Sequence, residues 1–177
     1  METKGRFKIS TIPVVSFLMA LEIILTRFLS VNLPIVRLGF GFLPVSLTAI
    51  MYGPLWAGAA YAMGDVIGAL LFPIAGFFPG FTLTAFLTGL TFGLFLYKKP
   101  VTWKTVLPAS LIICLILNLG LDTLWLYLIL DTGVFALIPA RLLKAVIMIP
   151  LHVLLIPFLW NRLRPLLPES ITGKNNT

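Results

Sequence analysis

The chain has 177 residues, of which 59% are hydrophobic and only 11% charged, with a mean hydropathy of +1.06. That is too little polar surface to cover a soluble globule, so lipid must be the solvent for most of the chain. The formal charge of +7 comes without any aromatic-interleaved basic patch, which reads as a topology signal and argues against nucleic acid. The expected fold is an all-α membrane protein: a six-helix domain over residues 1–164 and a polar C-terminal tail over 165–177.

Crossing a hydrocarbon core of about 30 Å takes roughly 20 apolar residues. Spans are therefore expected near 9–29, 38–52, 55–72, 82–97, 106–130 and 136–160. The opening METKGRFK resembles a signal peptide only in its charge: the apolar run after it is too long and lacks a small-residue cleavage pattern, so it is read as the first span. The second and fourth spans are short. Backbone at membrane depth must find partners inside the protein, so short spans are screened by neighbours or abut a water-filled cavity. The expected shape is a bowl rather than a solid bundle.

With both termini on one side, Lys4, Arg6, Lys8, Lys98, Lys99, Lys104, Arg162, Arg164 and Lys174 all fall on that side, which the positive-inside rule makes cytoplasmic. The remaining cations, Arg27, Arg37, Arg141 and Lys144, are assigned to the outer half. Arg141 and Lys144 are one turn apart and share a helix face. One such residue alone could snorkel to the headgroups. Four together, with Asp131 the only acid in the outer loops, point to an outward-facing site for an anionic small molecule.

The first and third connections, TRFLSVNLPIVRLGFGFLP and LFPIAGFFPGFTLTAFLTG, lie on the outer side in this topology. Gly39, Gly41 and Gly80 let the backbone turn or approach a ligand, and Pro34, Pro44, Pro73 and Pro79 stiffen it. Phe40, Phe42, Phe77, Phe78 and Phe81 offer flat apolar faces suited to a planar heterocycle, or to lipid. In the third span Asp65 is flanked by Gly64 and Gly68, and is expected to orient its helix or cap a loop rather than touch ligand. In the fifth, LNLGLDTLWLYLIL sets Asn118, Asp122 and Trp125 on one face at spacings of four and three. An intramembrane carboxylate beside an amide can meet the donor and acceptor edge of a pterin-like ring while an indole stacks on its face, or the set can bond helix to helix.

Several chemistries are excluded. Cys114 is the only cysteine, so no intramolecular disulfide forms. His152 stands alone, without Cys or carboxylate at metal-ligand spacing, and is expected to be a packing residue. No G-x-x-x-x-G-K-[ST] occurs, so the chain binds no ATP through a P-loop. The Gly64-Asp65 pair lacks the preceding Gly of an intramembrane aspartyl protease, since position 62 is Ala.

The order TRFLS, RLGFGFLP, GDVIGALLFP, GFFPGFTLTAFLTG, LNLGLDTLWL and FALIPARLLK resembles the folate-specific substrate-binding (S) components of energy-coupling factor vitamin importers, from about residue 15 to 145. The resemblance implies a six-helix membrane protein of the cell membrane with an external pocket for folate. It also implies a transmembrane coupling subunit and two cytoplasmic ATPases as partners, which would bind the ATP, with no cofactor on this chain. The substrate contacts expected on this basis are Arg27, Arg37, Gly39, Phe40, Phe42, Phe78, Phe81, Asn118, Asp122, Trp125, Arg141 and Lys144. The family carries Asn-Thr where this chain has Asp122-Thr123 before Trp125. It also carries small residues four apart in helix one for the coupling contact; Ser16 and Ala20 match, and small residues admit a second helix. The competing reading is a stand-alone carrier for another anionic vitamin, or a membrane enzyme acting on lipid.

Overall fold

The computed structural model describes residues 11–32, 37–72, 77–130 and 134–167. The expected tail lies almost wholly outside them. Helix α1 (Thr11–Arg27) is followed by a two-residue antiparallel ladder, β1 (Val31–Asn32) with β2 (Arg37–Leu38), pairing Val31 with Leu38 and Asn32 with Arg37. Then come α2 (Phe42–Tyr52), α3 (Pro54–Leu71), α4 (Pro79–Leu96), α5 (Trp103–Leu111), a π-helical stretch (Ile112–Leu121), α6 (Asp122–Leu130) and α7 (Val134–Leu163), which ends in a short 3-10 turn. The ladder is the one departure from an all-helical reading among the described residues.

The α5–π–α6 series is one continuous rod, so the six expected spans correspond to six helical rods. Four of them are long and apolar enough to cross a membrane: Pro54–Leu71, Pro79–Leu96, Trp103–Ile129 and Ile138–Leu166. Helix α2, with 11 residues, rises only about 16 Å. It is shielded by its neighbours, and eight of its residues, from Phe42 to Ile50, are buried. Elsewhere large apolar side chains point outward, among them Phe17, Leu55, Leu70, Val146 and Leu154, which suits a lipid surround.

Successive rods run in opposite directions. Gly53, at φ 93°, makes the tight reversal from α2 into α3, and Pro54 opens α3 at a position whose N–H would have no helical partner anyway. The most extensive packing is α3 on α4. It is that close because Gly93 faces Pro54 and Gly89 faces the Ala57 carbonyl, where an added Cβ would collide with backbone. At the turn into α5, Thr102 and Thr105 form a reciprocal capping box.

The core is concentrated at one end. Phe92, Leu96, Val106, Ala109, Ile113, Ile156 and Trp160 fill the half next to the exposed Lys98, Lys99, Lys104, Arg162 and Arg164. The other half, where α1 and α3 end and α2 and α4 begin, is hollow.

Candidate functional site

That hollow is a cavity of about 350 Å³, within the size range of small-molecule sites. On α4 the lining residues are Phe81, Thr84, Ala85, Thr88 and Phe92, a stripe at helical spacing that runs about 16 Å from the rim to the floor. On α7 they are Lys144, Met148 and His152, each one turn below the last. Arg27 and Thr26 come from the end of α1, Gly39, Gly41 and Phe42 from the entry to α2, Tyr61, Asp65 and Ala69 from α3, and Asn118 and Asp122 from the fifth rod. Phe77 and Phe78, between α3 and α4, complete the rim.

Eight of the twelve expected contacts therefore line one cavity: Arg27, Gly39, Phe42, Phe78, Phe81, Asn118, Asp122 and Lys144. Four do not. Phe40 packs beside Phe42, with ring centroids 6.4 Å apart. Trp125 lies behind the wall, its ring against Phe78 at 5.7 Å and its Nε1 donating to Thr84 Oγ1 at 3.1 Å. It fits because Gly80 of α4 leaves room for the indole. Arg141 lines a separate void of about 10 Å³ with Cys114 and Lys144. Arg37 has its backbone in β2, and its side chain falls outside what is described.

Several hydrogen bonds hold the polar walls. Thr82 donates to Asp65 Oδ2 at 2.8 Å, tying α4 to α3, so Asp65 both orients its helix and faces the cavity. Thr84 and Thr88 return their hydroxyls to the Gly80 and Thr84 carbonyls. Arg27 reaches the Phe72 carbonyl at 3.5 Å, and Phe28 packs edge-on to Phe72 at 5.0 Å, so the ends of α1 and α3 are joined at the rim.

Behind the far wall, Arg141 Nη1 donates to the Asn118 carbonyl at 2.6 Å and lies 3.9 Å from Asp122 Oδ2. The Asn118 carbonyl belongs to the π-helical stretch, where the Asp122 amide bonds back five residues to Leu117. π-turns of this kind cluster at functional sites because they turn backbone groups away from the regular ladder. Here one such carbonyl receives a guanidinium. Arg141 thus fixes two cavity-lining residues from outside the cavity.

Glu22 was not singled out in the sequence. It is 3% exposed in α1; Oε1 accepts from Thr26 at 2.8 Å, and Oε2 has no partner among the described residues. It packs against Gly64 and Gly41, neither of which leaves room for a side chain there. Through Thr26 it sets one corner of the cavity. A lone carboxyl in the run MALEIIL is the signal that could have found it.

The arrangement can hold an elongated ligand: aromatic faces for a planar ring, carboxylates and hydroxyls for its polar edge, and cations at Arg27 and Lys144 for an anionic end. Among the described residues no group of three or more His, Cys, Asp or Glu could hold a metal.

Residues 10–160 match the family described as the ECF transporter, substrate-specific component. The chain is 43% identical over 153 residues to the folate transporter FolT of Clostridium novyi (strain NT), covering 86% of this chain and 89% of that one. It is 38% identical over 152 residues to the folate transporter FolT of Leuconostoc mesenteroides subsp. mesenteroides, covering 82% of each. The fold matches the crystal structure of FolT bound with folic acid at a TM-score of 0.80 and 40% identity, over 88% of this chain and 94% of that one. These relatives are transport components, which removes the membrane-enzyme alternative. The chain belongs to the substrate-specific components of ECF transporters.

Proposed function

We propose that this chain is the folate-binding subunit of an ATP-driven importer of the cell membrane. It crosses the bilayer six times, with both termini cytoplasmic and the cavity open to the outside. The observation that carries the reading is the cavity itself: Phe42, Phe78 and Phe81 flank it, and Arg27 and Lys144 bring positive charge into it. Folate pairs a flat pterin with a dicarboxylate tail, and the cavity offers a partner for each part. The likeness to a FolT bound with folic acid supports the same substrate. The orientation rests on the basic residues, since the end opposite the cavity carries Lys98, Lys99, Lys104, Arg162 and Arg164.

Transport would need a transmembrane coupling subunit and two cytoplasmic ATPases, as membership of the family implies, because the sequence holds no P-loop. Ser16 and Ala20 are exposed on α1 and form a small-residue face on which a partner helix could sit. The test is titration of the detergent-purified chain with folic acid, biotin, riboflavin and thiamine. Saturable quenching of tryptophan fluorescence by folic acid is expected, with no competition from the other three. Equal competition by any of them would overturn the folate assignment.

A further inference from the structure

The floor of the cavity holds a polar group that the fold does not use. His152 is 2% exposed, and neither Nδ1 nor Nε2 has a hydrogen-bond partner among the described residues. Its ring is wedged between Phe42, with centroids 4.3 Å apart, and Phe92 at 5.6 Å. A neutral imidazole carries one donor and one acceptor. Burying both unmade is a cost that a phenylalanine in the same space would avoid, and such orphaned groups call for an explanation.

The position supplies one. Lys144, Met148 and His152 stand one turn apart on α7, and all three line the cavity. At 1.5 Å per residue His152 lies about 12 Å deeper than Lys144. A ligand whose anionic end meets Lys144 therefore sends its other end toward the imidazole. Phe42, the first residue of α2, covers that imidazole and lines the same cavity.

We propose that His152 is a specificity-determining contact, pairing with the polar edge of the substrate's heterocycle once the Phe42 ring turns aside. This rests on the folate reading above. The imidazole then gains the partners it lacks, and the ring end of the ligand is read at the bottom of the cavity.

The test compares the parent, His152→Phe and His152→Asn, each titrated with folic acid and with pteroic acid, which keeps the ring system but lacks the glutamate. His152→Phe preserves the aromatic packing and removes the unpaired nitrogens, so its ligand-free melting temperature should equal or exceed the parent's. Its affinity for both ligands should fall by about tenfold or more, because the ring's polar edge is left unpaired in a buried site. His152→Asn, which restores a donor and an acceptor, should bind more tightly than His152→Phe. Affinity within twofold of the parent for both ligands overturns the proposal. So does a loss confined to folic acid, or a fall in melting temperature that accompanies equal losses in both variants. A parent that binds no folic acid defeats the folate reading first, and this contact with it.

Discussion

Replacing Arg141 with alanine tests how the far wall of the cavity is held. The guanidinium makes a 2.6 Å hydrogen bond to the Asn118 carbonyl and sits 3.9 Å from Asp122 Oδ2, with side chains 17% and 15% exposed. A hydrogen bond from a charged donor is worth about 1.5–3 kcal/mol. The ion pair adds less than its gross Coulomb energy, because desolvating both charges offsets most of the attraction; about 1 kcal/mol net is reasonable. Alanine should therefore release about 2.5–4 kcal/mol of interaction that holds Asn118 and Asp122 in place. Part of this appears as a lower melting temperature and part as weaker binding, by about 10- to 100-fold. Since Arg141 acts through the wall and does not line the main cavity, the loss should be the same for folic acid and pteroic acid. Arg141→Lys should recover only part, because the shorter lysine must carry its ammonium to the place of Nη1, the one nitrogen that meets both partners. Unchanged affinity and melting temperature in Arg141→Ala would refute the bracing role. A loss restricted to folic acid would mean that Arg141 contacts the glutamate directly.

The remaining predictions separate tail recognition, packing and coupling. Lys144→Ala and Arg27→Ala should each weaken folic acid by about 1.5–3 kcal/mol in isothermal titration while sparing pteroic acid, because charge-assisted pairs are the strong ones; equal losses on both ligands would contradict this. Gly93→Val places a side chain against Pro54 and should lower the melting temperature in detergent by an amount reflecting about 1–3 kcal/mol or more of overpacking; a parent-like melt would show that α3 and α4 can separate freely. Ala20→Trp and Ser16→Trp, both on an exposed face of α1, should abolish folate uptake in cells while the purified chains bind folic acid normally. Uptake surviving both changes would place the coupling face elsewhere.

How far the sequence revealed this molecule depends on which physical signal each part leaves. The rods were legible because a lipid surround demands long apolar runs, and even the shortness of α2 showed in its run of apolar residues ending at Gly53 and Pro54. The cavity's membership was legible in part, because cations and carboxylates placed in apolar helices are conspicuous. What the spacing could not show is which side of a neighbour each residue takes. Trp125 shares a helical face with Asp122 by count, yet Phe78 packs against it, leaving the indole to brace Phe78 and Thr84. Asn118 and Asp122 are joined through a π-helical stretch that no apolar periodicity announces, and Arg141 reads as a ligand contact until its reach to the Asn118 carbonyl is seen. Glu22 and His152 are single polar residues in apolar runs, and only their burial beside the cavity gives them meaning. The two-residue ladder between α1 and α2 is too short to leave any alternating pattern.

On the proposed reading, the hollow between the ends of α1 and α3 and the face of α7 takes folate with its tail toward Arg27 and Lys144. A structure of this chain grown with folic acid tests it most directly. Ligand density should fill the cavity, with a glutamate carboxylate within about 3 Å of the Lys144 ammonium or the Arg27 guanidinium and the pterin lying deeper, toward His152. Density for folic acid anywhere else, or in the cavity with the glutamate on the floor and the pterin at the rim, would contradict it.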